Sequence, residues 1–318
     1  MRPRRYILLI GLLFFVVFFF IVWVNIHKSG VAMESSGMET VDESAVTAAE
    51  PENLQSAQLL ADIQNCTAGD ATKYAIYVEL LDNDGPPLIL QSQSMRSASL
   101  IKVFLLAKVM DMEKAGRLYP EQLLTVTPAV RVGGAGSLCG QPDGFRISLQ
   151  DTLFLMITES DNTATNMVID LIGMSEVNAY IQQHGYTDTV LQRRMMDQKA
   201  ASEGRENYTS VRDLGLFFHR LYHGQCVDSF YDQQMRDILL QQTDRECFPA
   251  ALPANRIAHK TGELTGLYDD AGIIYAPSTS YILCIMDEQM AGRTRTLQTM
   301  RAVASSVDAF AGQDGWKH

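Results

Sequence analysis

A serine and a lysine one helical turn apart are the first residues in the chain that could carry out a reaction together. Of the eight lysines, only Lys102 has a serine three residues before it, namely Ser99. On a helix this spacing places both side chains on one face. A serine hydroxyl becomes nucleophilic when a base takes its proton, and burial among apolar residues lowers the pKa of a lysine toward that role. The residues that follow Lys102 are apolar, so the pair is a candidate for nucleophilic catalysis.

Two tripeptides further along the chain strengthen this interpretation. An S-D-N tripeptide at residues 160–162 begins 61 residues after Ser99, and a K-T-G tripeptide at residues 260–262 begins 100 residues after Ser160. A given tripeptide is expected roughly 0.04 times in a chain of this length, so chance would supply both in about one such sequence in a thousand. A second ammonium group, that of Lys260, would lower the pKa of Lys102 further if the two side chains converge.

In this order, the three motifs resemble those of the penicillin-recognising serine enzymes, and of class A β-lactamases in particular. The resemblance covers residues 57–318. It implies an α/β fold of the β-lactamase and transpeptidase type, an α+β sandwich in which a five-stranded antiparallel sheet carries the terminal helices and an all-helical domain adjoins it. The implied activity is acylation of a serine by a β-lactam or a D-alanyl amide and hydrolysis of the acyl-enzyme, with no cofactor and no metal ion.

The resemblance also assigns roles to individual positions. Ser99 is the acylated nucleophile, Lys102 takes its proton, and Ser160 relays a proton to the leaving nitrogen. Five further residues would bind the substrate. They are Asn162 for the side-chain amide, Lys260 and Thr261 for the carboxylate, Gly262 for close approach of the backbone, and Glu263, whose N–H would form the oxyanion hole with that of Ser99.

One loop departs from the family's pattern. Class A enzymes carry a glutamate there, which activates the water that hydrolyses the acyl-enzyme. If Arg193 anchors this loop, the glutamate position is Met195 and the partner asparagine position is Lys199, and neither side chain can act as a general base. The nearby carboxylates that could substitute are Asp197, Glu203 and Glu206. Glu263 is a second departure, because it puts a negative charge beside a carboxylate-binding site.

These departures predict a protein that is acylated readily and releases the acyl group slowly. Three functions fit that behaviour: a weak β-lactamase, a D-alanyl-D-alanine peptidase or penicillin-binding protein, and a non-catalytic covalent β-lactam sensor. The substrate partner is a β-lactam or a cell-wall peptide in each case, and we expect a monomer.

The elements that must position these residues follow from the hydrophobic pattern. Strands are predicted at residues 73–81, 88–90, 256–263, 272–275 and 281–286. Helices are predicted at residues 99–115, 149–159, 163–172, 176–184, 211–222, 228–241 and 293–311. The order of strands, then helices, then strands and a last helix predicts that both ends of the chain contribute to one antiparallel sheet, with the helices between them forming a second domain.

An apolar run at residues 7–24 predicts a membrane anchor at the N-terminus. Its 18 residues would form a helix of roughly 27 Å, which is long enough to cross a bilayer. Three arginines precede the run and an acidic stretch follows it, so residues 1–5 are expected in the cytoplasm and the catalytic domain outside the cell membrane. A cleaved signal peptide with a secreted domain is the alternative. The predicted parts are an anchor at 1–28, an acidic flexible stalk at 29–56 and the hydrolase domain at 57–318.

The charge balance excludes one class of partner. The chain has 26 basic and 37 acidic side chains, a formal net charge of −11. Such a surface repels nucleic acids and anionic headgroups. Nucleic-acid binding is therefore excluded, and contact with a membrane would depend on the apolar run.

Several other residues have a structural interpretation. Cys226 and Cys247 flank a predicted helix, and the sequence leaves open whether they form a disulfide. His219 and His223 have metal-ligand spacing but lack the glutamate of a zinc protease, so we expect surface histidines. His259 is expected to point away from the cleft because strand residues alternate. The glycines at 133, 134 and 136 are expected to form a wall of the cleft.

Overall fold

The computed structural model describes residues 54–82 and 85–312. The strands in this part are β1 (Lys73–Leu80), β2 (Leu88–Leu90), β3 (Met95–Arg96), β4 (Leu123–Thr125), β5 (Arg146–Ser148), β6 (Tyr208–Thr209), β7 (Arg256–Leu264), β8 (Leu267–Tyr275) and β9 (Ser280–Glu288). The helices are α1 (Leu54–Thr67), α2 (Lys102–Lys114), α3 (Leu149–Thr158), α4 (Asn162–Ile172), α5 (Met174–Gln183), α6 (Gln198–Ser202), α7 (Val211–Tyr222), α8 (Ser229–Leu239), α9 (Phe248–Ala251) and α10 (Arg293–Ala311). Single 3₁₀ turns lie at Ala98–Ile101 and Leu138–Gly140.

The main sheet has five strands in the order β2-β1-β9-β8-β7, with every neighbouring pair antiparallel. β1 is the first of the described strands and β9 is the last. The two pair along the whole length of β1. Both ends of the described chain therefore contribute to one sheet, as the sequence predicts. The order leaves β7, the strand that carries residues 260–262, at an edge of the sheet, where a ligand can approach its free side.

Apolar residues cover both faces of the sheet, because each face is buried against helices. On one face, side chains such as Ile76 and Leu283 pack against α1 and α10. On the other, Tyr77 and Cys284 belong to a larger core that includes residues of α2, α4 and α7. This arrangement confirms the predicted α+β sandwich, in which a five-stranded antiparallel sheet carries helices on both faces.

The central helix α2 lies inside the larger core. Eleven of its thirteen residues are buried, as expected of a helix that is apolar around its whole circumference. The helix begins at Lys102, later than the predicted residue 99, because residues 98–101 form a 3₁₀ turn. Lys102 is therefore the first residue of α2, and it has no contact with solvent.

The other predicted elements are present with small changes of boundary. The largest change is in β8, predicted at residues 272–275 and found at Leu267–Tyr275. Its first half was missed because Asp269 and Asp270, both fully buried, interrupt the apolar pattern. The first helix begins at Leu54, three residues before the predicted start of the hydrolase domain.

The cysteines form no disulfide in the described part of the chain. The bridge between Cys226 and Cys247 that the sequence left open is absent, and all five cysteines are free thiols. Cys226 instead donates a hydrogen bond to the carbonyl of Phe217 at 3.4 Å, while Cys247 lies in the core beside α1 and α10. The flanking helix therefore does not bring the two sulfur atoms together.

The predicted anchor and stalk lie outside the described residues. Across residues 54–82 and 85–312, no helix combines the length and the apolar character needed to cross a membrane.

Candidate active site

Ser99 lies on the tight turn that precedes α2. Ala98, immediately before it, has a φ of +42°, which is a strained conformation for a residue with a Cβ atom. The 3₁₀ turn places Ser99, which is half-buried, at the end of the buried helix rather than within it. Ser99 therefore stays partly accessible while its neighbours Ala98, Leu100 and Ile101 are buried.

Lys102 is completely buried, and its ammonium group is surrounded by oxygen atoms. Its Nζ donates to the Ser160 carbonyl at 2.6 Å, to Ser160 Oγ at 3.1 Å and to Asn162 Oδ1 at 3.0 Å. Burial holds the pKa of Lys102 well below its usual range, and the positive charge of Lys260 lowers it further. A lysine with a lowered pKa can accept a proton near neutral pH.

Lys260 reaches the same hydroxyl from the edge strand. Its Nζ donates to Ser160 Oγ at 3.0 Å and to the Thr261 carbonyl at 2.8 Å. Burial lowers the pKa of Lys260 to about 7, against the opposing effect of the carboxylates Asp244 and Asp270. The Ser160 hydroxyl thus lies between two ammonium groups, one from the central helix and one from the sheet.

Asp161 has a structural role. Its carboxylate caps α4 by accepting from the Ala164 N–H at 2.7 Å and fixes the neighbouring loop by accepting from the Leu138 N–H at 2.7 Å. Asn162 donates to the Gly133 carbonyl at 3.1 Å. The glycine loop at residues 133–136 therefore forms a wall beside the lysine pair.

Gly262 brings the edge strand against Ser99. A Cβ atom at this position would lie 3.3 Å from the Ser99 backbone nitrogen and 3.1 Å from Ala98 Cβ. A side chain would therefore push β7 away from Ser99 by a few tenths of an ångström. Glycine at this position keeps the backbone of residues 262–263 close enough to form a shared anion-binding site with Ser99.

The carboxylate of Glu263 is neutralised by an ion pair. Arg293, at the start of α10, donates to Glu263 Oε1 at 2.8 Å and to Oε2 at 3.2 Å, and it also pairs with Glu246. The negative charge at this position thus has a cationic partner, which it shares with Glu246. The ion pair involves only the side chain of Glu263. The backbone N–H of this residue stays available for the oxyanion hole that the resemblance implies.

The loop that should carry the deacylating base is held by structural contacts. Arg193 and Glu206 form a bidentate ion pair at 2.6 and 3.0 Å. The Met195 N–H donates to Asn166 Oδ1 at 2.9 Å, and Asn166 Nδ2 donates to the Met195 carbonyl at 3.2 Å. Asn166 is one turn beyond Asn162 on α4, so Met195 is held against the helix face that contacts Lys102.

The three carboxylates that could replace the missing base are engaged elsewhere. Asp197 caps α6 by accepting from the Ala200 N–H at 2.9 Å. Glu206 pairs with Arg193, and Glu203 pairs with Arg205 at 2.6 Å. The side chain of Lys199 is exposed.

The histidines outside the cleft have the expected positions. His219 Nδ1 contacts Glu79 Oε1 at 2.7 Å, and both His219 and His223 are at least partly accessible. Among the described residues, no group of three or more potential ligands could hold a metal ion. His259 points away from the lysine pair and contacts Asp270 at 2.8 Å, which confirms the prediction for that residue.

Two positions that the sequence analysis did not single out also support the site. Asn166 could have been found from its spacing of four residues after Asn162, which places both on one helix face. Arg293 lies 30 residues after Glu263, in an element with no recognisable motif, and the sequence carries no signal for this contact.

Comparison with known proteins agrees with the geometry. Residues 58–310 match the model of the "Beta-lactamase enzyme family". The extended-spectrum β-lactamase PER-1 of Pseudomonas aeruginosa is 23% identical over 273 residues, 81% of this chain and 89% of that protein. The β-lactamase from Sphaerobacter thermophilus matches with a TM-score of 0.75 at 25% identity, over 80% of this chain and 97% of that one.

PBP-A is a further structural relative. It matches with a TM-score of 0.73 at 29% identity, over 79% of this chain and 95% of that one. A structure of a single-substitution variant of PBP-A, as an acyl-enzyme complex with penicillin G, matches with the same TM-score of 0.73 at 28% identity. Since the family model covers most of the sequence and the site has the three motifs in contact, the chain belongs to the β-lactamase enzyme family.

Proposed function

We propose that the chain is a serine hydrolase that is acylated on Ser99 by β-lactams or D-alanyl amides and that hydrolyses the acyl-enzyme slowly. The observation that carries the proposal is the pair of buried lysines joined through the Ser160 hydroxyl, with Ser99 on the turn that leads into Lys102. It supplies a base of lowered pKa, a path for a proton and a cation for the substrate carboxylate. These are the groups that amide cleavage by a serine requires.

Acylation would proceed in two proton transfers. Ser99 Oγ attacks the amide carbon, and the hydroxyl proton moves to neutral Lys102. The carbon–nitrogen bond then breaks while a proton passes from Lys102 through Ser160 Oγ to the leaving nitrogen. The N–H groups of Ser99 and Glu263 would stabilise the negative oxygen, each by about 3 to 4 kcal/mol. Lys260 would bind the substrate carboxylate.

Deacylation lacks an equivalent base. A water must lose a proton as it attacks the ester. If Arg193 anchors the loop as in class A enzymes, the residue at the usual base position is Met195, which is apolar and 6% exposed. The nearby carboxylates are committed to a helix cap and to ion pairs. The expected product is an acyl-enzyme of long lifetime.

A covalent adduct on Ser99 is the direct test. Incubation with benzylpenicillin should raise the intact mass by the mass of one penicillin molecule, because the β-lactam ring opens without losing atoms. The Ser99→Ala variant should show no increase, and Ser94→Ala, an exposed serine on the preceding loop, should behave like the unmodified protein. Absence of an adduct at high drug concentration would refute the proposal.

The substitution Met195→Glu should shorten the lifetime of the adduct. A carboxylate held by the Asn166 contacts could take a proton from water, and general-base catalysis typically contributes 10²-fold or more. We expect at least about a tenfold faster loss of the penicilloyl mass after free drug is removed. Met195→Gln has nearly the same shape and no basic oxygen, so it should leave the rate unchanged. Equal rates in the two variants would show that this position does not face the ester.

The acylation rate should depend on pH through the charge state of Lys260. The rate should fall as pH rises through the pKa of this lysine, about 7, because the neutral amine cannot bind the substrate carboxylate. The Lys260→Arg variant keeps its positive charge at all accessible pH values, so its acylation rate should not fall as pH rises. The control is Lys108→Arg, which replaces a buried lysine of α2 that pairs with Asp111 and Glu176. Its acylation rate should fall with rising pH as that of the unmodified protein does. The measurement is the second-order acylation rate between pH 5 and 9.

A D-alanyl-D-alanine peptidase is the second candidate. It is favoured by the similarity to PBP-A, a variant of which forms an acyl-enzyme complex with penicillin G. A peptide ending in D-alanyl-D-alanine should then release D-alanine with multiple turnovers, while antibiotic hydrolysis stays negligible. Ser99→Ala should abolish the release. An adduct that persists for hours with neither peptide nor drug turned over would instead favour a covalent sensor.

We also propose that the hydrolase domain works outside the cell membrane. The apolar run at residues 7–24, the arginines before it and the acidic stretch after it support this orientation. Such a placement would expose the site to cell-wall peptides and to β-lactams before they enter the cell.

A further inference from the structure

The backbone ladder between β8 and β9 stops short of the ends of both strands. Its last paired residues are Asp270 and Ile285, although β8 begins before this point and β9 continues beyond it. Over the same stretch β7 stays paired with β8, and β1 stays paired with β9. An unpaired gap, formed by residues 267–269 and 286–288, therefore lies inside an otherwise continuous sheet.

Two aspartates fill this gap. Asp269 Oδ1 accepts from the Asp287 N–H at 3.0 Å, and Asp287 Oδ2 accepts from the Tyr268 N–H at 3.1 Å. Each carboxyl group thus takes the place of a backbone carbonyl of the opposite strand. Beyond the gap the Met290 N–H donates to the Gly266 carbonyl at 3.0 Å, and both aspartates are completely buried. We call these two side chains, Asp269 and Asp287, the carboxyl pair.

Each member of the carboxyl pair has one oxygen left over. Asp269 Oδ2 and Asp287 Oδ1 are buried and have no hydrogen-bond partner among the described residues. No cationic side chain in that part of the chain forms an ion pair with either carboxyl group, since the neighbouring Arg96 pairs with Glu288 at 3.6 Å. Two ionised carboxylates in this gap would repel each other and leave both acceptors unsatisfied.

The charged groups on the surrounding elements are also engaged with one another. Asp70, which precedes β1, accepts from the Tyr74 hydroxyl at 2.9 Å and lies 3.7 Å from Arg295 of α10. Glu263 on β7 pairs with Arg293 of α10. The neighbourhood of the carboxyl pair therefore adds the negative charges of Asp70 and Glu288 and supplies no cation to bind it.

We propose that Asp269 and Asp287 share one proton and form a pH-sensitive connection between β8 and β9, closed when the proton is present and weakened when it is lost. A proton on one leftover oxygen, donated to the other, satisfies both atoms and removes one of two like charges. Asp269 is also the register partner of Gly262 on β7. The connection therefore supports the end of the sheet that approaches Ser99.

The sign of the pH effect follows from the native environment. Burial and the charge of Asp287 raise the pKa of Asp269 well above its usual range, and burial raises the pKa of Asp287 to about 7. In the unfolded chain both groups lose their protons near pH 4. The stability that the carboxyl pair contributes is thus present in full below about pH 4 and is lost as pH rises through about 7.

The test is urea unfolding of the full chain at a series of pH values from 5 to 9. For each proton that the native pair retains, the unfolding constant should increase about tenfold per pH unit between pH 5 and 7. Asp269→Asn places a permanent N–H donor in the gap, so its unfolding constant should rise less steeply by that factor. Relative to pH 5, the variant should gain at least about tenfold over the unmodified protein at pH 8.

Two further variants keep this result interpretable. Asp287→Asn places the donor on the other strand and should flatten the pH dependence in the same way, even if Asp269→Asn fails to fold. Asp82→Asn removes an exposed aspartate that accepts from Thr279 and Ser280 of the same sheet, and it should keep the slope of the unmodified protein. Slopes equal to that of the unmodified protein in the asparagine variants of the carboxyl pair would overturn the proposal, because the pair would then hold no extra proton.

Hydrogen exchange locates the effect. At pH 8, peptides that cover residues 262–269 and 286–290 should exchange more slowly in Asp269→Asn than in the unmodified protein, and by a larger factor than peptides from α2. The same factor in all peptides would show that the carboxyl pair acts on global stability alone, which would overturn its role as a local connection. Neither measurement depends on acylation, so both stand whatever substrate the protein takes.

Discussion

Two buried ammonium groups that share one hydroxyl impose the main constraint on this protein. Like charges repel strongly away from water, and burial disfavours the charged form of each lysine. Lys260 therefore lowers the proton affinity of Lys102 beyond the effect of burial, and the surrounding structure must compensate in part. Asp161 does so for Lys102, and Asp244 and Asp270 do so for Lys260. The balance leaves one lysine suited to accept a proton and the other suited to hold an anion.

The rest of the fold maintains this arrangement. The helix α2 is buried on nearly all sides, which keeps water from Lys102. The edge position of β7 leaves Lys260 and Gly262 open to a ligand on one side while β8 supports them on the other. Loop contacts from Asp161 then fix Ser160 at a φ of +53°, a conformation that few non-glycine residues adopt. The polar residues of the site thus depend on packing more than on their own propensities.

The positions of the three sequence motifs and of the sheet could be predicted because their signals are local. Short motifs with apolar flanks identify Ser99, Ser160 and Lys260, and alternating patterns identify most strands. Contacts between distant residues had no such signal. The ion pair of Arg293 with Glu263, and the contact of His259 with Asp270, depend on a register that only the folded sheet defines. The start of β8 was missed for a related reason, since buried aspartates resemble a turn in sequence.

Ser160 and Lys260 come from different layers of the molecule, one from the helical part and one from the sheet. The hydrogen bond between them spans the boundary of the two layers. A substitution that loosens the contact between layers could leave each of them folded and still separate the hydroxyl from the ammonium group by more than a hydrogen bond allows. Under the proposed function, the adduct with a β-lactam would then be lost before any secondary structure is, so the covalent label would report on the assembly of the two layers.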